Sequence, residues 1–364
     1  MTIDRYARER QIALAREMAP RAKIYLDLRF WILAREAAAG NGTPADIRIL
    51  EALRHGVRAG VLLCPVSESV VMELLKQANT AARRQATATL IDELSLGVCL
   101  VPIDVRAKTE VAHFWHALSS ASELYPVSEL IWSKLAYAFG YLHPQIAGWT
   151  PEQELAFQKD FLDKMWDKPL VEMATAIGDT GWEQREDFER LARALNQGNA
   201  DHLRDIRDFK QTYQLELKGV IDLYGDVAAD VVCDMAVANN VAPPRRGSSE
   251  WKATANACKN VLFAGFAQER TRTALRTVHI QTCLHADLRL NKRRKFVAND
   301  FYDFNHAAAA LGYCDAFFTE GSLRAMVTAK HVALDKRYGC RVTDDVEEAA
   351  QILEAIVAGR ETAG

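Results

Sequence analysis

Short apolar runs alternate with amphipathic stretches in the first hundred residues of the chain. The runs at residues 23–27, 61–65 and 98–103 are only a few residues long and lack a helical period, which is typical of buried strands. Helix-period stretches separate these runs, so the pattern predicts the order strand, helix, strand, helix, strand. Because parallel strands need long crossover connections, this order indicates a parallel sheet covered by helices.

The middle of the chain follows a different pattern. After residue 104 the strand-like runs disappear and long amphipathic stretches follow one another, among them residues 105–121, 128–142 and 200–240. At Thr150, followed by Pro151 and with Gln153 three residues on, the residue types are those of a capping box that starts a helix. We therefore predict an all-helical insertion over residues 105–294.

The strand and helix alternation resumes near residue 295. Residues 314–319 and 340–342 have the pattern of short strands, and Asp300 is expected to cap a helix that begins at Phe301. The predicted fold class is α/β, a three-layer core with a mostly parallel sheet. Residues 1–104 and 295–364 would form this core, interrupted by the helical insertion.

Four acidic residues lie where a parallel sheet could gather them. Asp27 and Glu320 each close a predicted strand, at the carboxyl edge where α/β proteins bind ligands, and they can meet only if their strands are neighbours. Glu73 lies on the helix after the second strand, and Asp303 lies in the first turn of a helix. Two carboxylates at 4 Å repel by about 4 kcal/mol at an effective dielectric constant of about 20, so a cluster of four would require a cation. Oxygen donors with few histidines nearby favour Mg²⁺ or Mn²⁺ over zinc.

The stretches that carry these acids resemble the PIN-domain ribonucleases. They are residues 24–27 (IYLD), 65–75 (PVSESVVMELL) and 302–320 (YDFNHAAAALGYCDAFFTE). The resemblance implies a PIN-like core and metal-dependent cleavage of RNA by a water nucleophile. It assigns both metal binding and catalysis to four positions, which are Asp27, Glu73, Asp303 and Glu320. The sequence departs from the family pattern at the fourth acid, which is usually aspartate, and in the length of the helical insertion.

Residues around the four acids receive supporting roles or none. We assign Ser67 and Asp315 to the immediate surroundings of the site, although Ser67 also has the position of a helix cap. His306 follows Asp303 by three residues and is interpreted as a packed or hydrogen-bonded histidine without an assigned function. Each acid also has a structural alternative. Asp27, Asp303 and Glu320 all lie near predicted helix starts, and Glu73 could be an ordinary surface residue of its helix.

The charge of the chain restricts how it could hold a nucleic acid. The 364 residues carry a formal net charge of -3, so binding would require a local basic patch rather than a polycationic surface. The densest patch is at residues 289–295, which hold five basic residues and no acid, and Arg245 with Arg246 form a weaker one. A solvated loop is the alternative interpretation of the first patch. The residues expected to contact phosphates are Lys292, Arg293, Arg294 and Lys295.

Cysteine spacing and hydropathy exclude other classes of protein. The seven cysteines are scattered without a CxxC pair, which favours reduced thiols over a zinc site or a disulfide framework. The first twenty residues are rich in charge and do not resemble a signal peptide, and no run approaches the roughly 18 apolar residues of a membrane span. We therefore expect a cytoplasmic protein.

Three rival functions remain open. The first is a catalytically silent PIN-like scaffold that recruits a partner through its helical insertion, for which the glutamate at position 320 is the supporting feature. The second is a phosphatase with Asp27 as nucleophile, which would require an acid at position 29, where the chain has arginine. The third is a DNA-directed nuclease of the flap-endonuclease type. RNA is the favoured substrate, DNA remains an alternative, and the insertion could also mediate homo-oligomerisation.

Overall fold

The computed structural model describes residues 2–76, 81–119, 124–177, 184–202 and 206–361. Helices form most of this part of the chain, and six short strands lie among them. The strands are β1 (Ala22–Leu26), β2 (Leu62–Leu63), β3 (Val98–Leu100), β4 (Trp132–Lys134), β5 (Ala316–Phe318) and β6 (Arg341–Thr343). The helices are α1 (Ile3–Met18), α2 (Leu28–Ala38), α3 (Pro44–Arg58), α4 (Glu68–Lys76), α5 (Ala81–Ser95), α6 (Ile103–Leu118), α7 (Val127–Leu130), α8 (Pro151–Trp166), α9 (Leu170–Ile177), α10 (Gln184–Asp201), α11 (Phe209–Ala238), α12 (Ser249–Gly265), α13 (Glu269–Ala274), α14 (Arg276–Leu290), α15 (Ala298–Tyr313), α16 (Gly321–Thr328), α17 (Leu334–Tyr338) and α18 (Val346–Glu361), with a 3₁₀ turn at Leu135–Tyr137.

Four strands form a parallel sheet in the order β2-β1-β5-β6. All three strand pairs are parallel, with Leu26 opposite Phe318 and Phe318 opposite Thr343. The side chains of β1 and β5 are almost completely buried, since helices such as α2 and α15 pack against this sheet. The structure thus has a parallel sheet, as the alternating pattern predicts, with strands drawn from both ends of the chain. The prediction was wrong for β3, which the pattern placed in the same sheet and which lies outside its four strands.

A second, two-stranded sheet corrects the prediction of an all-helical insertion. Trp132–Lys134, which the sequence placed in a helix over residues 128–142, pairs antiparallel with β3 as β4. β3 in turn forms one parallel bridge with Val66, three residues beyond β2, in which the Leu100 N–H donates to the Val66 carbonyl at 2.9 Å. The prediction failed because three residues are too few to reveal a strand period, and the free edge of β3 decides their conformation.

The rest of the inserted segment is helical in its described residues. The capping box predicted at Thr150 is present, with the Gln153 N–H donating to the Thr150 hydroxyl at 3.3 Å. The longest helix, α11, spans 30 residues and packs against α6, α12 and α14. Its contacts with α6, α12 and α14 bury a second hydrophobic cluster that includes Leu217, Ile221 and Leu262.

Among the described helices, none has the length and apolar character that crossing a membrane would require.

Replacing the fully buried Phe317 in the middle of β5 tests the packing of the sheet. We expect Phe317→Ala to lower the free energy of unfolding by about 3–5 kcal/mol, because it leaves a cavity between strand and helices. Urea denaturation followed by circular dichroism measures this loss. Val297→Ala is the control, since Val297 is 55% exposed and should change stability by less than about 0.5 kcal/mol. Equal effects of the two variants would contradict the burial of β5.

Candidate active site at the carboxyl edge of the sheet

The pairing of β1 with β5 brings two predicted acids to the same edge of the sheet. Asp27 follows β1 directly, and its N–H donates to the carbonyl of Phe318, the last residue of β5, at 3.0 Å. Glu320 lies two residues beyond Phe318. The condition that the sequence left open, whether these two strands are neighbours, is therefore met. Glu320 and Asp27 are close enough for the charge of Glu320 to raise the pKa of Asp27.

Asp27 is both a structural cap and a buried acid. Its carboxylate accepts a hydrogen bond from the Phe30 N–H at 3.2 Å, so it caps the start of α2, and it also accepts one from the Thr319 side chain. Only 6% of the residue is exposed. The pKa of Asp27 is raised to about 6, mainly by burial and to a smaller extent by the charge of Glu320, while His306 and the two hydrogen bonds oppose the rise.

Asp303 lies in the second turn of α15 rather than in its first. The helix begins at Ala298, so the prediction that Asp300 caps a helix from Phe301 is wrong by three residues. Asp300 is instead the third residue of the helix, where it accepts from the Val297 N–H at 2.8 Å. Asp300 thus stabilises the start of the helix. The alternative interpretation, in which Asp303 has this role, does not hold.

The surroundings of Asp303 disfavour its ionised form. The pKa of Asp303 is raised to about 7, mainly by burial and in addition by the charges of Glu73, Glu320 and Asp300, while His306 opposes the rise. The two acids with raised pKa values, Asp27 and Asp303, therefore belong to one electrostatic cluster that also contains Glu73 and Glu320. The structure brings all four predicted acids to the same end of the sheet.

Glu73 is held by a histidine that the sequence analysis left without a function. The Nε2 of His306 lies 2.8 Å from Oε2 of Glu73, and its Nδ1 lies 2.7 Å from the Tyr25 hydroxyl. Burial by itself would lower the pKa of His306, but Glu73, Asp27 and Asp303 together raise it. Two spacings in the sequence could have indicated that His306 belongs to the site. Tyr25 and Asp27 are two residues apart at the end of β1 and so face the same side, and Asp303 and His306 are three residues apart on α15.

Of the two residues expected around the four acids, Ser67 lies near the site and Asp315 does not. Ser67 lies in the interior, and its hydroxyl is 2.6 Å from that of Tyr25, so its side chain joins the network of His306. Asp315 is exposed at the opposite edge of the sheet, where it accepts from the Lys23 N–H at 2.7 Å. At about 3.3 Å per residue, β5 separates Asp315 from Glu320 by roughly 15 Å. Its assignment to the site is therefore wrong, because it precedes the strand that Glu320 follows.

Glu320 is the exposed member of the cluster. It is the N-cap residue of α16, but its side chain makes no capping hydrogen bond. A fifth acid at this edge was missed: Asp344 follows β6, and its Oδ1 lies 3.2 Å from Nη1 of Arg324. Arg29 donates to the main-chain carbonyl of Asp344 at 3.0 Å. Arg29 therefore has a structural role. It also stands where a phosphatase with Asp27 as nucleophile would need an acid.

The four acids have the right chemistry for a metal ion, but their side chains are not placed for coordination. Four carboxylates provide the hard oxygen donors that Mg²⁺ and Mn²⁺ prefer, and a cation would relieve the unfavourable ionisation of Asp27 and Asp303. Within the described residues, however, no group of three or more His, Cys, Asp or Glu side chains is arranged so that it could hold a metal ion. The chemistry of the site thus fits a divalent cation, while coordination would require the side chains to move.

The basic patch borders this edge of the sheet through α15, and two of its members are engaged. Arg289 forms an ion pair with Glu216 of α11. Arg294 forms an ion pair with Asp300 at 2.6 Å, which fixes it to the start of the helix that carries Asp303. The exposed members of the patch are Lys292, Arg293 and Lys295. In the weaker patch, Arg246 lies 3.1 Å from Asp230.

Comparison with known protein families yields no family that matches the chain. Curated proteins and solved structures likewise yield no match.

The raised pKa of Asp303 makes the stability of the protein depend on pH in a defined direction. The folded state keeps this proton up to about pH 7, whereas an unfolded aspartate has a pKa of 3.8, so the folded state loses stability between about pH 4 and 7. We expect Asp303→Asn to be more stable than the wild type at pH 8 without added metal. The gain should be on the order of 2 kcal/mol and should disappear near pH 4.

Thermal unfolding of both proteins across this pH range measures the difference. Asp222→Asn serves as control, because Asp222 is an exposed acid on α11 and its replacement should leave the pH profile unchanged. If the difference between Asp303→Asn and the wild type is the same at pH 4 and pH 8, Asp303 does not have the raised pKa.

Proposed function

We propose that this protein is a divalent-cation-dependent nuclease with a PIN-like three-layer core and RNA as its favoured substrate. The observation that carries the proposal is the convergence of four acids from four separate elements. Asp27 and Glu320 follow β1 and β5, whereas Glu73 and Asp303 lie on α4 and α15, and the four are together only because of the tertiary fold. Burying like charges together is costly, so such a cluster favours a role in binding a cation.

The four acids would hold Mg²⁺ or Mn²⁺ between them. Such a cation, when bound, supplies an activated water and neutralises charge on a phosphodiester. The residues of the chain prepare the site in two ways. The hydroxyl of Thr319 and the Phe30 N–H hold the Asp27 carboxylate in place, and His306 holds Glu73. No group of three such side chains is arranged to hold a metal ion in the described residues, so the proposal requires that cation and substrate draw the carboxylates together.

The nucleic acid would be held at some distance from the reacting atoms. Lys292, Arg293 and Lys295 are exposed and lie just before α15, whose second turn carries Asp303. A phosphate backbone bound by these residues would therefore run toward the acidic cluster. Electrostatic contacts of this kind position either RNA or DNA without reading its sequence, so they do not separate the two substrates.

A silent scaffold is the second candidate. Two observations favour it: the exposed position of Glu320 and the apolar side chains that α11 and α12 leave in solvent, such as Leu223 and Phe263. A scaffold of this kind would bind a partner through the inserted helices and would cleave neither RNA nor DNA.

Replacing Asp27 by asparagine tests the chemistry. Asn keeps the shape of the side chain and its ability to cap α2, but it removes the charge that a cation needs. We expect Asp27→Asn to abolish Mn²⁺-dependent cleavage of a mixed RNA pool, measured by gel electrophoresis, with a melting temperature at least as high as that of the wild type.

Asp208→Asn is the matched control, since Asp208 also caps a helix, α11, by accepting from the Gln211 N–H at 2.9 Å. This variant should cleave RNA at the wild-type rate. Full activity of Asp27→Asn would rule out the proposed site, and a wild type that cleaves neither RNA nor DNA would favour the scaffold.

Replacing Lys292, Arg293 and Lys295 together by serine tests how the substrate is held. Arg294 is left in place because its ion pair with Asp300 supports α15. We expect weaker RNA binding and a flatter salt dependence, with the log–log slope falling by about 0.7 for each lost phosphate contact. Fluorescence anisotropy at several salt concentrations measures both quantities.

Cleavage at saturating RNA should change much less than binding, because these residues position the backbone and do not react. The control removes three other exposed lysines, Lys210, Lys218 and Lys252, and so the same charge. If both triple variants bind RNA equally well, the patch is only a solvated loop.

A further inference from the structure

A chain of buried hydrogen bonds ends on Glu73 and connects three elements of the fold. It runs from the Ser67 hydroxyl to that of Tyr25 at 2.6 Å, from Tyr25 to Nδ1 of His306 at 2.7 Å, and from Nε2 of His306 to Glu73 at 2.8 Å. Ser67 precedes α4 and Glu73 lies within it, while Tyr25 belongs to β1 and His306 to α15. The chain therefore ties the start of α4 and its second turn to the sheet and to α15.

The direction of the bond to Glu73 follows from the chemistry of its two partners. An ionised carboxylate only accepts hydrogen bonds, so Nε2 of His306 must carry the hydrogen and donate it. This holds for the neutral imidazole, which then accepts from the Tyr25 hydroxyl at Nδ1, and also for the charged imidazole, which donates at both nitrogens. In either state both ring nitrogens of His306 are engaged, so neither is free to bind a cation.

Burial makes this chain rigid. His306 is 2% exposed, Tyr25 is fully buried and Ser67 is 1% exposed. Water therefore has little access to the two bonds of Tyr25, which are buried, and the bond to Glu73 is partly buried, so a partner that lost its bond would be left unsatisfied. The imidazole also packs against the Tyr25 ring, with the ring centroids 5.7 Å apart. His306 is thus held on two sides, and it in turn restricts where the Glu73 carboxylate can lie.

We propose that His306 is a positioning residue that fixes one oxygen of Glu73, and that Tyr25 and Ser67 in turn fix His306. The inference rests on the proposed function, because it assigns Glu73 the task of binding the cation through its other oxygen. His306 itself touches neither cation nor substrate. Hydrogen bonds to metal-binding carboxylates of this kind typically change metal affinity or activity by about 10–100-fold when they are removed.

Two conservative replacements of His306 separate its two contacts. The side-chain amide of glutamine reaches about as far as Nε2, so His306→Gln keeps a donor for Glu73 and loses the bond to Tyr25. The amide of asparagine reaches only as far as Nδ1, so His306→Asn keeps the bond to Tyr25 and loses the one to Glu73. A third variant, Tyr25→Phe, keeps the ring and removes the hydroxyl that anchors His306.

Titration calorimetry with Mn²⁺ alone measures the effect without any RNA. We expect His306→Asn to weaken Mn²⁺ binding by about tenfold or more, and Tyr25→Phe to weaken it by a smaller factor. The Mn²⁺ affinity of His306→Gln should stay within about threefold of the wild-type affinity, because this variant retains the donor to Glu73. Both histidine variants lose the imidazole ring, so their melting temperatures should fall together. If Mn²⁺ affinity also falls equally in both, His306 has only a packing role and the proposal is overturned.

Nuclear magnetic resonance of the imidazole in the metal-free protein tests the bond independently of any nuclease activity. A proton on Nε2 of His306 should give a downfield signal that is absent from His306→Gln and that moves upfield in Glu73→Gln, because a neutral acceptor binds it more weakly. A signal unaffected by Glu73→Gln would overturn the proposal. If the wild type binds no Mn²⁺ and cleaves no RNA while this signal responds to Glu73→Gln, the proposed function fails and the positioning of Glu73 stands.

Discussion

The hydrogen bond from the Asp27 N–H to the carbonyl of Phe318 closes the parallel pairing of β1 with β5, two strands nearly three hundred residues apart. Asp27 and Glu320 share an edge because this pair is parallel and in register. α15, which leads into β5, also packs against β1, and this brings Asp303 and His306 to the same place. If the pair were broken or shifted, the side chains of β1 would change faces and the acidic cluster would be dispersed.

The cluster combines burial with like charge, two effects that act in the same direction on a carboxylate. Both raise the pKa of Asp27 and Asp303, to about 6 and about 7, and both make the metal-free site less stable at high pH than at low pH. His306 opposes these effects: its charge lowers the pKa of Asp27 and Asp303, and its ring forms a hydrogen bond with Glu73. A cluster of this kind stores unfavourable electrostatic energy in the folded protein, and such energy is common at functional sites, which supports the proposed role of the four acids.

The inserted helices affect the site indirectly. α14 packs along α15, and α10 contacts α15 near its start, so the inserted segment supports the helix that carries Asp303. β4 attaches the same segment to the sheet through β3. The insertion therefore contacts the core at two places, and a movement of the insertion would displace α15.

The sequence by itself determined the local features of this protein. Apolar runs of strand length and helical periods predicted the parallel sheet, and the capping box at Thr150 predicted the start of α8, because these signals depend on residues within one turn or one strand. The positions of Asp27, Glu73, Asp303 and Glu320 were readable for the same reason. The tertiary structure decided what lies between elements: the neighbouring strands, the strand at Trp132–Lys134, the remoteness of Asp315 and the network of His306. These depend on residues far apart in the chain, and a local pattern carries no information about which distant edge or side chain will meet it.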